Sequence, residues 1–371
     1  GAWSSKRSTY KRPGEVHLEE GTIPAGYVKY IRTKILLLLL GLVLLFILAV
    51  LSIATGPVSY RPVEVLRTLF MGHVSRQLDV VVFNIRLPQV LAAVLAGAGL
   101  SVAGAVMQSV LGNPLGSPFT LGISQAAAFG AAFSVMALGS GFMQSAASDA
   151  ITVVRPGMTT ALAFAAAMAA TGVVIVIARL RRGSPEVMIL AGVAMGSLCS
   201  AATMFLQYFA DDVQLAAMVF WTFGDLSRAG WREIGIISLV TGFCSLYFAF
   251  NSWNYNAIDA GDETAAGLGV NVRMVRFLGM SLASLVTAVI ISFVGVIGFV
   301  GLVCPHMVRR LIGDDNRYLI PGSIIMGSIL LLAADTAART MIAPNVLPVA
   351  ILTSFVGAPM FLYLLVRGYR R

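Results

Sequence analysis

ILLLLLGLVLLFILAVLSIAT, residues Ile35 to Thr55, is an unbroken apolar run with no charged side chain. At about 1.5 Å of rise per residue it reaches across the roughly 30 Å of hydrocarbon in a bilayer. Lipid offers the backbone no hydrogen-bond partners, so a single segment inside it must be a helix. Working outward, the apolar runs 88–109, 117–137, 159–180, 188–209, 234–252, 276–294, 296–311, 320–338 and 349–366 read as spans of the same kind. The 371 residues are 58% hydrophobic and 12% charged, with a mean hydropathy of +0.86, whereas a soluble domain carries about a quarter charged residues. The reading is an all-α integral membrane protein of about ten transmembrane helices.

A net charge of +9 does not point to nucleic acid, because the basic residues lie between the apolar runs and no basic-aromatic motif accompanies them. Membrane topology is the better account. Residues 1–34 form a polar, basic N-terminal extension, and 35–371 the transmembrane domain. With the extension inside, one set of loops holds Arg179, Arg181 and Arg182, then Arg273 and Arg276, then Arg309, Arg310 and Arg317, and finally Arg367, Arg370 and Arg371. The positive-inside rule then puts both termini in the cytoplasm. The opposite side still carries Arg61, Arg67, Arg76 and Arg86, so the bias is one of degree. No small-residue cleavage signature marks the first run, and a removable signal peptide is not expected. Cys199, Cys244 and Cys304 lie inside apolar runs without metal-site spacing, and read as small buried hydrophobes.

Gly97, Gly99 and Gly104, like Gly295, Gly298 and Gly301, recur at the close spacing that lets helices approach in lipid. Two stretches share an apolar run, a polar break and a resumed helix: Leu87 to Met136 through Gly112-Asn113-Pro114, and Phe277 to Ala334 through Gly313-Asp314-Asp315. Five spans per half would set the halves in opposite orientations, as in an inverted-repeat transporter. Ionisable groups are nearly absent from the span centres. Asp335 lies near the end of its run, Glu186 precedes one, and His306 is near the end of another. Proton- and ion-coupled carriers keep such groups mid-membrane. The chain also has no lysine beyond Lys34, and a P-loop needs one against the terminal phosphates. Active transport by this chain therefore requires an energy-supplying partner.

Several segments are more specific. Arg86-Leu87-Pro88, Ser101-Val102-Ala103-Gly104-Ala105-Val106-Met107-Gln108, Gly112-Asn113-Pro114-Leu115-Gly116-Ser117-Pro118 and Leu190-Ala191-Gly192-Val193-Ala194 resemble FecCD-type permeases of ABC importers for siderophores, haem and cobalamin. So do Gly298-Phe299-Val300-Gly301-Leu302-Val303-Cys304-Pro305-His306, Ala334-Asp335-Thr336-Ala337-Ala338-Arg339, Leu347-Pro348-Val349 and Gly357-Ala358-Pro359-Met360-Phe361. The likeness runs in the family's order over about residues 35 to 366. It implies a type II importer permease in the cytoplasmic (inner) membrane, paired with a second copy of itself in contact with membrane lipid. Two ATP-binding-cassette ATPases would dock inside and a substrate-binding protein outside. The chain would then be no enzyme and hold no cofactor, ATP and Mg being used by the ATPase.

The resemblance also implies site residues. The polar stretch Asp259 to Val270 matches the family's ATPase-coupling segment, with Asp262, Glu263, Ala266, Gly267, Leu268 and Gly269 as its contact residues; read without the family it is a solvated loop with a helical turn. Arg86 and Arg339 match arginines that meet acids on the binding protein, against a plain reading as interfacial snorkels. Gln89 stands where the family often has a third arginine. Asn113 and Leu115 match a cytoplasmic gate, and otherwise form an ordinary tight turn. Ser184-Pro185-Glu186 departs from the family pattern and takes no gate role. A lone His306 lacks companion metal ligands, and Met107, Met195, Met204 and Met326 read as adaptable packing. The expected cargo is an iron-siderophore chelate, with haem and cobalamin open. An ion-coupled secondary transporter and a non-transporting scaffold or sensor are the competing classes.

Overall fold

The computed structural model describes residues 25–368, apart from 57, 72–74, 140, 143–151, 154–155, 181–183 and 343–345. Residues 1–24 of the basic extension and the arginines at 181, 182, 370 and 371 lie outside the described residues.

The chain runs α1 (Ala25–Ala54), α2 (Pro62–Phe70), α3 (Arg76–Val80), a π-helical turn (Val81–Arg86), α4 (Leu87–Val110) and α5 (Ile123–Ala137). After a two-residue antiparallel pairing of Gly141–Phe142 with Thr152–Val153 come α6 (Pro156–Leu180), α7 (Pro185–Phe209), α8 (Asp212–Thr222) and α9 (Trp231–Phe250). Then follow α10 (Ser252–Asp259), α11 (Asp262–Gly267), α12 (Val272–Val294), α13 (Val300–Ile312), α14 (Asn316–Thr340) and α15 (Val349–Gly368). All ten apolar runs are helical, as α1, α4, α5, α6, α7, α9 and α12 to α15. Among the described residues, 7 helices are long and apolar enough to cross a membrane.

Three boundaries differ from the sequence reading. Among the described residues α1 already covers Ala25 to Lys34, ahead of the span read from Ile35. The run at 117–137 becomes helical only at Ile123, because Ser117 and Thr120 exchange side-chain and backbone hydrogen bonds (3.0 and 3.2 Å) and Gly122 turns with φ 76°. The run at 296–311 becomes helical only at Val300, after Gly295 (φ 81°) and Phe299 (φ 66°). Each half thus holds a long helix, a non-helical break and a short helix: α4 and α5 around 111–122, α12 and α13 around 295–299. Gly313-Asp314-Asp315 is the turn into α14 instead, so 295–299 is the break that answers 111–122.

Helix α4 is the centre. It is buried from Pro88 through Val110 except at Leu91, Val94 and Leu95, which are half-buried. Gly97 lies against the backbone of Gly327 on α14, and Gly104 against that of Gly301 on α13. Only residues without a Cβ allow backbones to meet so closely. By contrast, Leu36, Leu39, Leu40 and Val43 of α1 are exposed, an apolar face suited to lipid. The charged side chains of the described residues gather toward the two ends, called the α10 end and the α2 end.

Candidate functional site

At the α10 end, α11 is a six-residue helix with a defined start and stop. Its first turn carries Asp262 and Glu263, carboxylates that favour a helix N-terminus. It closes with the Val270 N–H donating to Ala265 O and the Gly269 N–H to Ala266 O (both 3.0 Å), Gly269 having φ 83°. This 6→1 and 5→2 pair is a Schellman stop, and it requires the left-handed residue that glycine supplies. Ala265 is fully buried and anchors the helix, while Asp262, Glu263, Ala266, Gly267, Leu268 and Gly269 are all exposed. Leu268 is 71% exposed, an apolar side chain held outward on a polar segment.

Behind α11 the polar groups interlock. Asp259 on α10 accepts from Ser109 Oγ of α4 (3.1 Å) and Asn316 Nδ2 of α14 (2.7 Å). Burial pushes the Asp259 carboxyl above its ordinary range, against the pull of those bonds. Asn256 donates to Asp315 (2.9 Å) and accepts from the Asn316 N–H (2.8 Å), while the Arg317 fork closes on Asp315 at 2.6 and 3.0 Å. Burial works against the Asp315 charge, but the Arg317 and Asn256 hydrogen bonds outweigh it and hold the carboxyl down at about 2. Arg276, in the first turns of α12, reaches two ways. Its terminal nitrogens donate to the Asp262 carboxylate at 3.0 and 3.2 Å, and its Nε donates to Val110 O at 2.6 Å.

Asn113 and Leu115 lie immediately beyond Val110. The Asn113 Oδ1 accepts the Leu115 N–H at 2.8 Å, and Gly112 (φ 55°) opens the turn. Leu115 is 42% exposed. The structure therefore brings the predicted coupling segment and the predicted gate to the same end, and Arg276 ties the coupling segment to Val110, three residues before Asn113. In the sequence alone Arg276 reads as one of the basic residues beside an apolar run.

Arg86 and Arg339 lie at the opposite, α2 end, and their guanidinium groups face inward. They are 5% and 7% exposed. Arg86 donates to the carbonyls of Ile53 (2.6 Å) and Ala54 (3.2 Å), and also to Val58 O. Arg339 Nη2 donates to Ser52 Oγ (2.7 Å) and its Nε to Asp335 Oδ2 (3.0 Å), while Gln89 Nε2 donates to Asp335 Oδ1 (2.9 Å). The last carbonyls of a helix have no intrahelical partners, and cations favour that end. Arginines from the π-helical turn and from α14 thus cap the exit of α1, and Gln89 adds a donor to the Asp335 carboxylate that Arg339 holds. The i, i+4 spacing of Asp335 and Arg339 was the available sequence signal for this pair. At this end the exposed arginines include Arg61, Arg67 and Arg76.

No group of three or more His, Cys, Asp or Glu, His306 included, converges among the described residues. Cys199, Cys244 and Cys304 are buried free thiols.

A bundle of membrane-crossing helices whose charged side chains, among the described residues, gather toward the helix ends defines a multi-pass membrane protein of the transporter class. Residues 44–367 match the FecCD transport family, and the chain belongs to that family. An ABC transporter permease of Methanocaldococcus jannaschii is 51% identical over 94% of this chain and 99% of its own length. The hemin transport system permease of Yersinia pestis is 37% identical (89% and 96%), and the ferric citrate import permease of Bacillus subtilis 34% identical (90% and 96%). Among solved structures, an inward-facing metal-chelate type ABC transporter superposes with a TM-score of 0.77 at 27% identity, covering 89% of this chain and 99% of that one. The protein is the membrane-spanning permease of an ABC importer, and is not an enzyme.

Proposed function

We propose that this permease carries an iron chelate of the siderophore type into the cytoplasm, as one of two identical copies flanking the path. Two ATPases, which use the ATP and Mg, dock at the α10 end, and a substrate-binding protein delivers cargo to the α2 end. The α10 end then faces the cytoplasm with both termini, in line with the arginines of its loops. The observation that carries this reading is α11, a capped helix that presents Ala266, Gly267 and Leu268 to the outside while Ala265 and Asp262 tie it to the bundle. Relatives named for hemin and ferric citrate support an iron-bearing cargo, and one named for vitamin B12 keeps cobalamin as the second reading.

Docking of the binding protein is proposed at the α2 end. Arg86 and Arg339 serve it there by fixing the corner where α1 leaves the bundle, since direct pairing with a partner's acids would first have to open their bonds to Ser52, Ile53 and Ala54. The asparagine-led turn at Asn113 and the exposed Leu115 form the gate at the other end.

Gly267 gives the sharpest test, because the position is exposed and a Cβ there meets no atom within 4 Å. Gly267→Trp is expected to cut the stimulation of ATP hydrolysis by loaded binding protein by at least about tenfold, the effect of losing about 1.4 kcal/mol of interface energy. Full stimulation in that variant removes α11 from the ATPase contact.

A further inference from the structure

Arg276 touches both the segment read as the ATPase contact, at Asp262, and the end of α4, at Val110, three residues before the turn read as the gate. We propose that Arg276 is a positioning residue that carries displacement of α11 to the gate-bearing end of α4. The inference rests on the reading of Asp259 to Val270 as the coupling segment. A guanidinium is planar and stiff, so a shift of the Asp262 carboxylate on its two terminal nitrogens is passed to whatever the third nitrogen holds. That third partner is the Val110 carbonyl, among the last of α4 and without an intrahelical donor.

The link is built to persist through movement. The Arg276 side chain is 7% exposed and its partner Asp262 54%. A buried guanidinium that let go of its partners would stand as an uncompensated charge, so it follows them instead. A parallel connection runs one residue earlier, from Ser109 Oγ to Asp259 (3.1 Å), so α10 and α11 grip successive residues of α4. Two features leave the joint free to shift. A cavity of about 380 Å³ adjoins Arg276, lined among others by Arg179, Met188, Arg273 and Phe277. Beyond Val110, Gly112 has positive φ and no neighbour within 4 Å of its Cβ direction, as suits a hinge between the grip and Asn113-Pro114-Leu115.

The test reads gate movement without knowledge of the cargo. In proteoliposomes of the assembled permease and ATPase, a Leu115→Cys thiol is labelled with a membrane-impermeant maleimide, with and without a non-hydrolysable ATP analogue. The native cysteines are buried. Nucleotide is expected to change the labelling rate at least about fivefold, the low end of coupling between linked sites. Arg276→Gln and the surface variant Asp262→Asn are each expected to abolish that change. Arg276→Lys, whose single ammonium reaches one partner at a time, restores part of it, which a merely structural residue would not do. A full nucleotide response in Arg276→Gln or Asp262→Asn overturns the relay, as does a Leu115→Cys thiol whose labelling is indifferent to nucleotide with Arg276 and Asp262 intact. Gly267→Trp separates the two claims. If it leaves ATPase stimulation intact, the coupling reading itself fails; if it abolishes stimulation while Asp262→Asn responds in full, the relay alone fails.

Discussion

Arg339→Ala is expected to lower the unfolding free energy of the purified permease by about 3–5 kcal/mol, the usual cost of removing one member of a buried ion pair. The loss exceeds one hydrogen bond because Asp335, 3% exposed, is left inside the bundle without its cationic partner and keeps the Gln89 amide as donor. The Ser52 hydroxyl loses its 2.7 Å donor at the same time, and the end of α1 loses one of its two caps. Chemical unfolding in mixed micelles measures the difference. Replacing the pair together, Asp335→Leu with Arg339→Met, is expected to recover most of it, since apolar residues of similar volume suit a site that no longer holds a charge. A loss below about 1 kcal/mol for Arg339→Ala, the range of exposed ion pairs, would mean that the guanidinium is free for an outside partner.

The second large effect is expected at Gly104. A side chain there would overlap the carbonyl and Cα of Gly301, and backbone cannot swing aside as the tip of a flexible side chain can. Helices α4 and α13 must part, and because α4 is the central helix the strain spreads to its other neighbours. Gly104→Leu is expected to cost about 3 kcal/mol or more, at or above the upper range for overpacking. Gly235 on α9 is the control, because a Cβ built there meets nothing within 4 Å. Gly235→Leu is expected to stay within about 0.5 kcal/mol of the unmodified protein. Equal effects at the two glycines would show that close approach of α4 and α13 does not hold the bundle together.

How far the sequence could be read depended on what kind of force set each feature. Ten apolar runs became ten helices because desolvation of the backbone in lipid leaves one solution for each. The starts of α5 and α13 slipped because hydrophobicity does not register the Ser117–Thr120 hydrogen bonds or the positive φ of Gly122 and Phe299. The same blindness paired the break at 112–114 with 313–315 instead of 295–299. The segment at 262–269 was legible as a polar island with glycine stops, and its exposure in the structure matches that pattern. Arg276 was not legible, since an arginine beside a span reads as topology until the fold shows Val110 and Asp262 on either side of it. Burial of Arg86 and Arg339 depends on where α1 ends relative to α4 and α14, which no local pattern encodes. Gln89 read as a missing arginine, yet its amide is a neutral donor to a carboxylate that Arg339 already balances.

Reconstitution tests the central claim most directly. Purified permease, its ATPase and its binding protein in proteoliposomes, with iron-loaded siderophore, hemin and cobalamin offered in turn, are expected to accumulate an iron chelate only when ATP is supplied. Accumulation driven by an ion gradient in vesicles that contain the permease alone would contradict it.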